Sequence, residues 1–283
     1  MRKVYKYIKT KEDKMKFENV IIMSDIDGTL VTDEKKILPR DMEAINRFRE
    51  GGGIFTLATG RGYSMAKPVA ERVGLDVPAV IFNGSAVYDF KADKFLWHSK
   101  LPDSTKEIAK ELIKAFPDIA IEILCRDRVY VPSINRIERK HLALENVQPF
   151  MCKVDEIDEE SWLKMLIAYP PEKIQNIIDF VNERPDYINA AHWVRSENHY
   201  FEMLPLGVNK GSGFQRLLEL MGKENAFTVG VGDYNNDIEL IEQASLGVAV
   251  GSAQQAAKDA ADLVVCDNNS GAISEVIEYI EKM

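Results

Sequence analysis

Four consecutive apolar residues, Val20-Ile21-Ile22-Met23, run almost directly into Asp25-Ile26-Asp27-Gly28-Thr29-Leu30, and this junction constrains the fold more than any other stretch. A short, uninterrupted apolar run bounded by a turn signal suits a strand buried on both faces, as in a parallel sheet covered by helices. The pattern then repeats. Residues 39–50 read as a helix, with Pro39 suited to its first turn and Gly51-Gly52-Gly53 to stop it. Residues 54–58 read as a strand, 63–73 as a helix, and 79–82 as a strand ending at the turn signal Asn83-Gly84. Strands alternating with helices imply right-handed crossovers and a parallel sheet.

The rhythm changes in the middle of the chain. Residues 86–90 and 95–99 read as antiparallel strands, 102–115 as a helix, 119–124 with 128–131 as a strand pair, and 133–144 as a helix. Residues 162–169 read as a strand, 171–183 as a helix, and 187–193 with 199–204 as a closing strand pair. This is an α+β pattern. The first rhythm returns after Pro205, with helices at 210–221, 234–243, 253–260 and 271–281 and strands at 227–232, 246–250 and 263–266. The expected organisation is a core at 19–87 and 205–283, interrupted by an insertion at 88–204. A length of 283 residues agrees with two units at roughly 150 residues per domain.

Residues 1–18 differ from the rest, with seven Lys/Arg against three acidic residues and no sustained periodicity. They read as a weakly ordered basic extension; a surface-binding tail is the sharper alternative. Three scattered cysteines without a CxxC pair argue against a disulfide scaffold and for a reducing cytoplasm. A net charge of −9 argues against bulk nucleic-acid binding, and no apolar run is long enough to span a membrane. An anionic substrate stays compatible, because a bound cation or one lysine can invert the field of a pocket.

Four features carry chemistry. In Asp25-Ile26-Asp27-Gly28 two carboxylates stand at the carboxyl end of a strand, where ligands of open parallel sheets collect. They can address one metal or one reacting atom as nucleophile and general acid, and an ordinary Asx-turn is the plain alternative. Thr59-Gly60-Arg61 follows the second strand, and its hydroxyl and backbone N–H groups can hold a phosphoryl oxygen; it reads equally as a strand–helix turn. Lys210 opens a helix whose dipole it opposes, although such lysines are usually solvated. In Gly230-Val231-Gly232-Asp233-Tyr234-Asn235-Asn236-Asp237 the third glycine of a dinucleotide fingerprint is missing. Two carboxylates and a carboxamide there suit Mg²⁺, a hard ion that prefers oxygen; helix capping by Asp233 is the alternative. The four histidines show no ligand spacing and read as structural.

These four segments, in this order, resemble the haloacid dehalogenase superfamily and within it the Cof-type phosphatases: DxDGTL, Thr59, Lys210 and GDxxND match its four motifs. The long insertion resembles the family's type-IIB cap, and FEMLPLGVNKGSG resembles its return from cap to core. The resemblance implies an α/β fold, a Rossmann-like parallel-sheet core of strand order 5-4-1-2-3 with an inserted α+β cap. It implies a Mg²⁺-dependent phosphatase of small phosphomonoesters, sugar phosphates or phosphorylated cofactors, working through a phosphoaspartate. A phosphotransferase or phosphomutase of the same superfamily is the alternative, and a non-catalytic binding module a third. Under this resemblance Asp25, Asp27 and Lys210 are catalytic. Ile26, Thr59, Gly60, Lys210 and Asn236 hold the phosphoryl group. Asp25, Asp27 through its carbonyl, and Asp233 bind the metal, with Asp237 behind them. Arg61, Arg126, Arg128, Arg195 and His199 are candidates for contact with the leaving group. The expected partner is a small phosphorylated metabolite, with no nucleic acid or membrane.

Overall fold

The structure of the chain, a computed structural model, describes residues 16–144, 147–158 and 162–283. Most of the basic extension, 1–15, therefore lies outside the described residues. Strand β1 (Val20–Ser24) is flanked on one side by β2 (Ile54–Leu57) and on the other by β12 (Phe227–Gly232), all parallel. Beyond β12 follow β13 (Leu246–Ala249) and β14 (Leu263–Val264), giving the order β14-β13-β12-β1-β2. Strand β3 (Ala79–Ile81) touches β2 through one parallel bridge, Ala58 to Val80, which completes the implied 5-4-1-2-3 order with β14 added at the edge.

Helices α1 (Pro39–Glu50), α2 (Tyr63–Val73), α7 (Lys210–Met221), α8 (Ile238–Gln243), α9 (Gln255–Ala260) and α10 (Ala272–Lys282) accompany this sheet. The central strands read as continuous apolar runs because both their faces are covered: Ile21, Ile22 and Met23 are fully buried. Phe17, assigned by sequence to the basic extension, belongs to this core; its ring lies 4.9 Å from that of Phe48.

The hairpin of β4 (Ala86–Asp89) and β5 (Lys94–His98) pairs with β3 in a three-stranded antiparallel sheet. The expected boundary at Tyr88 cuts this hairpin. Antiparallel pairing alone resembles the insertion's pattern, and only the register of Ala79 with Tyr88 assigns the hairpin to the core side. The cap is a second sheet of order β10-β11-β9-β6-β7-β8. Its strands are β6 (Ala120–Cys125), β7 (Val129–Ser133), β8 (Phe150–Met151), β9 (Trp162–Ala168), β10 (Ala191–Glu197) and β11 (Tyr200–Pro205). Helices α3 (Thr105–Ala115), α4 (Arg136–Leu144), α5 (Ile174–Asn182) and α6 (Pro185–Ala190) belong with it. Residues 187–190, expected as strand, are the end of α6. Pro185 opens that helix, and the Tyr187 carbonyl accepts a hydrogen bond from Trp193 Nε1, so the strand begins only at Ala191.

Candidate active site

Asp25 follows the last residue of β1, and its N–H donates to the Val231 carbonyl on β12, so the central ladder fixes where its side chain starts. Gly28 makes the reversal that follows. Its φ is +77°, and a Cβ there would meet Asp233 Oδ2 at 2.5 Å. The turn therefore lies against the other acidic motif, and Thr29 Oγ1 donates to Asp233 Oδ1 at 2.8 Å.

Lys210 arrives from the far end of the chain. Asn209 caps α7, accepting from Ser212 N at 2.7 Å while its own N–H donates to Ser212 Oγ. The helix start can approach because Gly84, at φ +102°, leaves no side chain in the way; a Cβ there would stand 2.0 Å from the Asn209 carbonyl oxygen. Lys210 is 1% exposed, far from the solvated lysine its position suggests. Its Nζ donates to Asp25 Oδ1 at 2.6 Å and to Asp237 Oδ1 at 2.5 Å. Burial alone would lower the lysine's pKa, but the two carboxylates outweigh it and hold the charge.

Asp233 ends β12, and Asp237 closes a one-turn 3-10 helix behind it, its Oδ2 accepting from the Asp233 and Tyr234 N–H groups. Carboxylate oxygens of Asp25, Asp233 and Asp237 lie within 4.8 Å of one another. Burial and the neighbouring carboxylates push Asp25 up to about 7, against the pull of Lys210. Asp233 rises to about 8 by burial and by repulsion from Asp237 and Asp25. Three carboxylates converge beside one ammonium that bonds two of them, and their all-oxygen character suits a hard divalent cation such as Mg²⁺. The donor set fits that ion. Asp237 is already engaged by Lys210 and two N–H groups.

Asp27 is held differently. Arg61 grips it in a fork, Nε to Oδ2 at 2.7 Å and Nη2 to Oδ1 at 2.9 Å, and Lys35 Nζ reaches Oδ1 at 2.6 Å. Burial works to raise its pKa, but Arg61 and Lys35 together drive it below the usual carboxylate range. Arg61 thus meets a candidate catalytic group before any leaving group. The Ile26 side chain is fully buried, so only its backbone can face a phosphoryl group.

Thr59 and Gly60 follow β2, and Thr59 Oγ1 accepts from Arg61 N. Asn236 donates from Nδ2 to Asn83 Oδ1 at 3.0 Å. Asn83, a turn signal in the sequence, is 1% exposed in a left-handed conformation of φ 53° and ψ 35°. Its amide Nδ2 donates to Glu202 of the cap at 2.5 Å. A cavity of about 680 Å³ lies between core and cap, lined by Asp25, Asp27, Thr59, Gly60, Asp233 and Asn236 on the core side.

The cap side of this cavity was not legible in the sequence, because its residues come from five separate elements, β6, α4, β9, β10 and β11. Glu122 on β6, His141 on α4, Lys164 on β9 and Glu202 on β11 line it. Lys164 and Glu202, each 3% exposed at the side chain, pair at 2.8 Å, and Lys164 Nζ also donates to the Gly60 carbonyl. Of the arginine and histidine candidates, Arg61 and His199 line the cavity, while Arg126, Arg128 and Arg195 do not. Arg126 covers the Phe95 ring, Arg128 pairs with Asp127, and Arg195 donates to the Glu197 and Asn198 carbonyls. His141, read as structural, has a nitrogen within 4.8 Å of carboxylate oxygens of Glu122 and Glu138, and burial beside Lys164 lowers its pKa to about 4.

Among curated proteins, the chain is 23% identical over 269 residues to the 5-amino-6-(5-phospho-D-ribitylamino)uracil phosphatase YitU of Bacillus subtilis (strain 168), covering 93% of this chain and 98% of that one. It is 26% identical over 274 residues to the pyridoxal phosphate phosphatase YbhA of Escherichia coli (strain K12), covering 91% and 97%. Among solved structures, a haloacid dehalogenase-like hydrolase from Bacteroides thetaiotaomicron superposes with a TM-score of 0.78 at 24% identity, covering 92% and 98%. A subclass IIB sugar phosphatase superposes with a TM-score of 0.80 at 20% identity, covering 93% and 99%. The profile of the haloacid dehalogenase-like hydrolases matches residues 22–277, which contain all four segments described above, and the chain belongs to that family of enzymes.

Proposed function

We propose that the protein is a Mg²⁺-dependent phosphatase of small phosphomonoesters, acting in the cytoplasm through a phosphoaspartate on Asp25. The observation that carries this reading is the placement of Asp25: a buried carboxylate at the open end of the central strand, on the floor of the cavity, with Lys210 at 2.6 Å and Asp233 and Asp237 beside it. An anionic nucleophile must approach an anionic phosphoryl group, and fixed positive charge has to offset the repulsion.

Asp25, Asp233 and the Asp27 carbonyl would hold the cation, with Asp237 steadying the set. When bound, Mg²⁺ neutralises carboxylate and phosphoryl charge and orients the transferred group. Asp25 Oδ attacks phosphorus in line while the P–O bond to the leaving alcohol breaks. Lys210, Thr59, the Gly60 backbone and Asn236 hold the phosphoryl oxygens. Asp27, as a carboxylate between Arg61 and Lys35, is suited to take a proton from water in the second step. In the first step Asp27 enters protonated, against the field of those two cations, and gives that proton to the departing alcohol oxygen. In the second the water it deprotonates attacks phosphorus, the bond to Asp25 breaks, and free phosphate and the Asp25 carboxylate are released. The relatives named as phosphatases of ribitylamino-uracil and pyridoxal phosphates support a small-metabolite substrate. Transfer to a second sugar, as in a phosphomutase, is the competing reading of the same site.

The test is phosphate release from a panel of small phosphate esters with Mg²⁺. Wild-type protein is expected to release free phosphate, EDTA to stop it, and Mg²⁺ to restore it. Asp25→Asn should be inactive with an unchanged fold by circular dichroism. Activity that survives complete chelation, or persists in Asp25→Asn, overturns the reading. An isomerised phosphosugar in place of free phosphate would favour the mutase.

A further inference from the structure

Asn83 and Gly84 stand in the sequence as a turn signal, yet three of the four chemistry-bearing segments rest on them. The Asn83 N–H donates to the Thr59 carbonyl at 2.9 Å, and the Phe82 N–H to the Arg61 carbonyl at 3.0 Å. A Cβ on Gly60 would lie 3.0 Å from Asn83 Oδ1, so the carboxamide packs closely against that loop. On its other side, Gly84 meets the Asn209 carbonyl at the start of the helix that carries Lys210. The Asn83 side chain is itself bonded to Asn236.

These bonds have a direction. A carboxamide donates at one end and accepts at the other, and its neighbours decide which end faces which. Glu202 lies buried on β11, paired with Lys164 at 2.8 Å and accepting from Ser196 Oγ. A carboxylate only accepts, so Asn83 turns Nδ2 towards it, at 2.5 Å. Asn83 Oδ1 is thereby left facing Asn236, which answers with its own Nδ2 at 3.0 Å. One hydrogen of that NH₂ group is engaged by Asn83, and the other remains to donate. Turned the other way, Asn236 would offer an oxygen lone pair to an anionic phosphoryl group, a repulsive contact. Asn83 is 1% exposed, and its left-handed backbone, φ 53° and ψ 35°, is one that asparagine adopts more readily than most residues.

We infer that Asn83 is a positioning residue for phosphoryl binding: anchored by the buried Lys164–Glu202 pair of the cap, it fixes the Asn236 carboxamide with Nδ2 available to a phosphoryl oxygen. The inference rests on the phosphatase reading for the role of Asn236. It adds a residue outside the four motifs, and it gives the cap a part in holding the phosphoryl group itself.

The experiment measures binding of inorganic phosphate by calorimetry with Mg²⁺ present, together with KM and kcat for p-nitrophenyl phosphate. Asn83→Gly keeps the left-handed backbone and removes the carboxamide. It should weaken phosphate binding and raise KM by about five- to tenfold, with kcat within about threefold of wild type. Asn236→Ala should lose about as much. Because Asn83 acts through Asn236, the double variant should bind phosphate no more weakly than Asn236→Ala alone. A purely structural role would instead multiply the two losses. Asn83→Ser, whose hydroxyl stops one bond short of Oδ1, takes the same readings if the glycine variant does not fold. Unchanged phosphate binding in the Asn83 variants, or losses that multiply in the double variant, overturns the inference. So does a fall in kcat at unchanged KM, which would place Asn83 with the reacting groups at Asp25. Phosphate binding with the expected shift, but no ester hydrolysed by wild type, would sink the phosphatase reading and leave this role of Asn83 standing. Wild-type protein that binds no phosphate overturns both.

Discussion

The glutamate pair in the cap makes stability depend on pH in a direction opposite to most carboxylates. Burial is the main cause that lifts Glu122 well above its ordinary value, with Glu138 adding to it and Lys164 opposing; burial likewise raises Glu138. A carboxyl whose folded pKa is raised keeps protons that the unfolded chain has released. Its contribution is complete below the ordinary glutamate value and is lost as pH rises through the folded value. Glu138→Gln removes one of the two acids and offers the other a donor. The variant should therefore lose less stability than wild type between about pH 5 and pH 8, and exceed it at pH 8 by about 1–3 kcal/mol. Parallel curves of unfolding free energy against pH would mean that the pair finds other partners.

Turns, more than helices or strands, decide how the core site is assembled. The Asp25–Gly28 segment must reverse sharply with Asp233 pressed against it, and only glycine accepts both the positive φ and the contact at 2.5 Å. Gly28→Ala should cost about 1–2 kcal/mol in backbone strain and push Asp233 away from Asp25. The expected result is a higher Mg²⁺ concentration for half-maximal activity, with a smaller change in KM for substrate. An unchanged Mg²⁺ titration would show that Asp233 can move without consequence. Helix α1 was readable because Pro39 and the three following glycines bracket it, and α7 because its residues carry a cap and an apolar stripe. Residues 187–190 are helix where the sequence suggests strand, because their apolar content fits either element, and the decision came from Pro185 and the Trp193 hydrogen bond to Tyr187; 191–193 are strand as expected.

At the scale of the molecule, the buried pair Lys164–Glu202 joins the two layers. Lys164 reaches the Gly60 carbonyl in the loop after β2, and Glu202 accepts from Asn83, which in turn accepts from Asn236. Cap position and the loops that carry Gly60, Asn83 and Asn236 are thereby tied through hydrogen bonds. Lys164→Met leaves Glu202 buried without its cation and should cost about 3 kcal/mol or more in urea unfolding. The double variant Lys164→Met with Glu202→Gln should recover part of this, because the uncompensated charge is gone. A single variant as stable as wild type would show that the pair contributes nothing to docking. Among the described residues no helix is long and apolar enough to cross a membrane.

The sequence by itself determined the alternation of core strands and helices, and with it the residues that stand at strand ends: Asp25, Asp27, Thr59 and Asp233. It could do so because a buried parallel strand must be apolar throughout, so the first polar residues after it mark the open edge of the sheet. Only the tertiary structure decided that Lys210 is buried between Asp25 and Asp237, that Arg61 and Lys35 clamp Asp27, and that β4 and β5 stay with the core. Glu122, Glu138, Lys164 and Glu202 carry no local pattern at all. They lie on β6, α4, β9 and β11, and a cluster drawn from four elements exists only once the strands between them have paired.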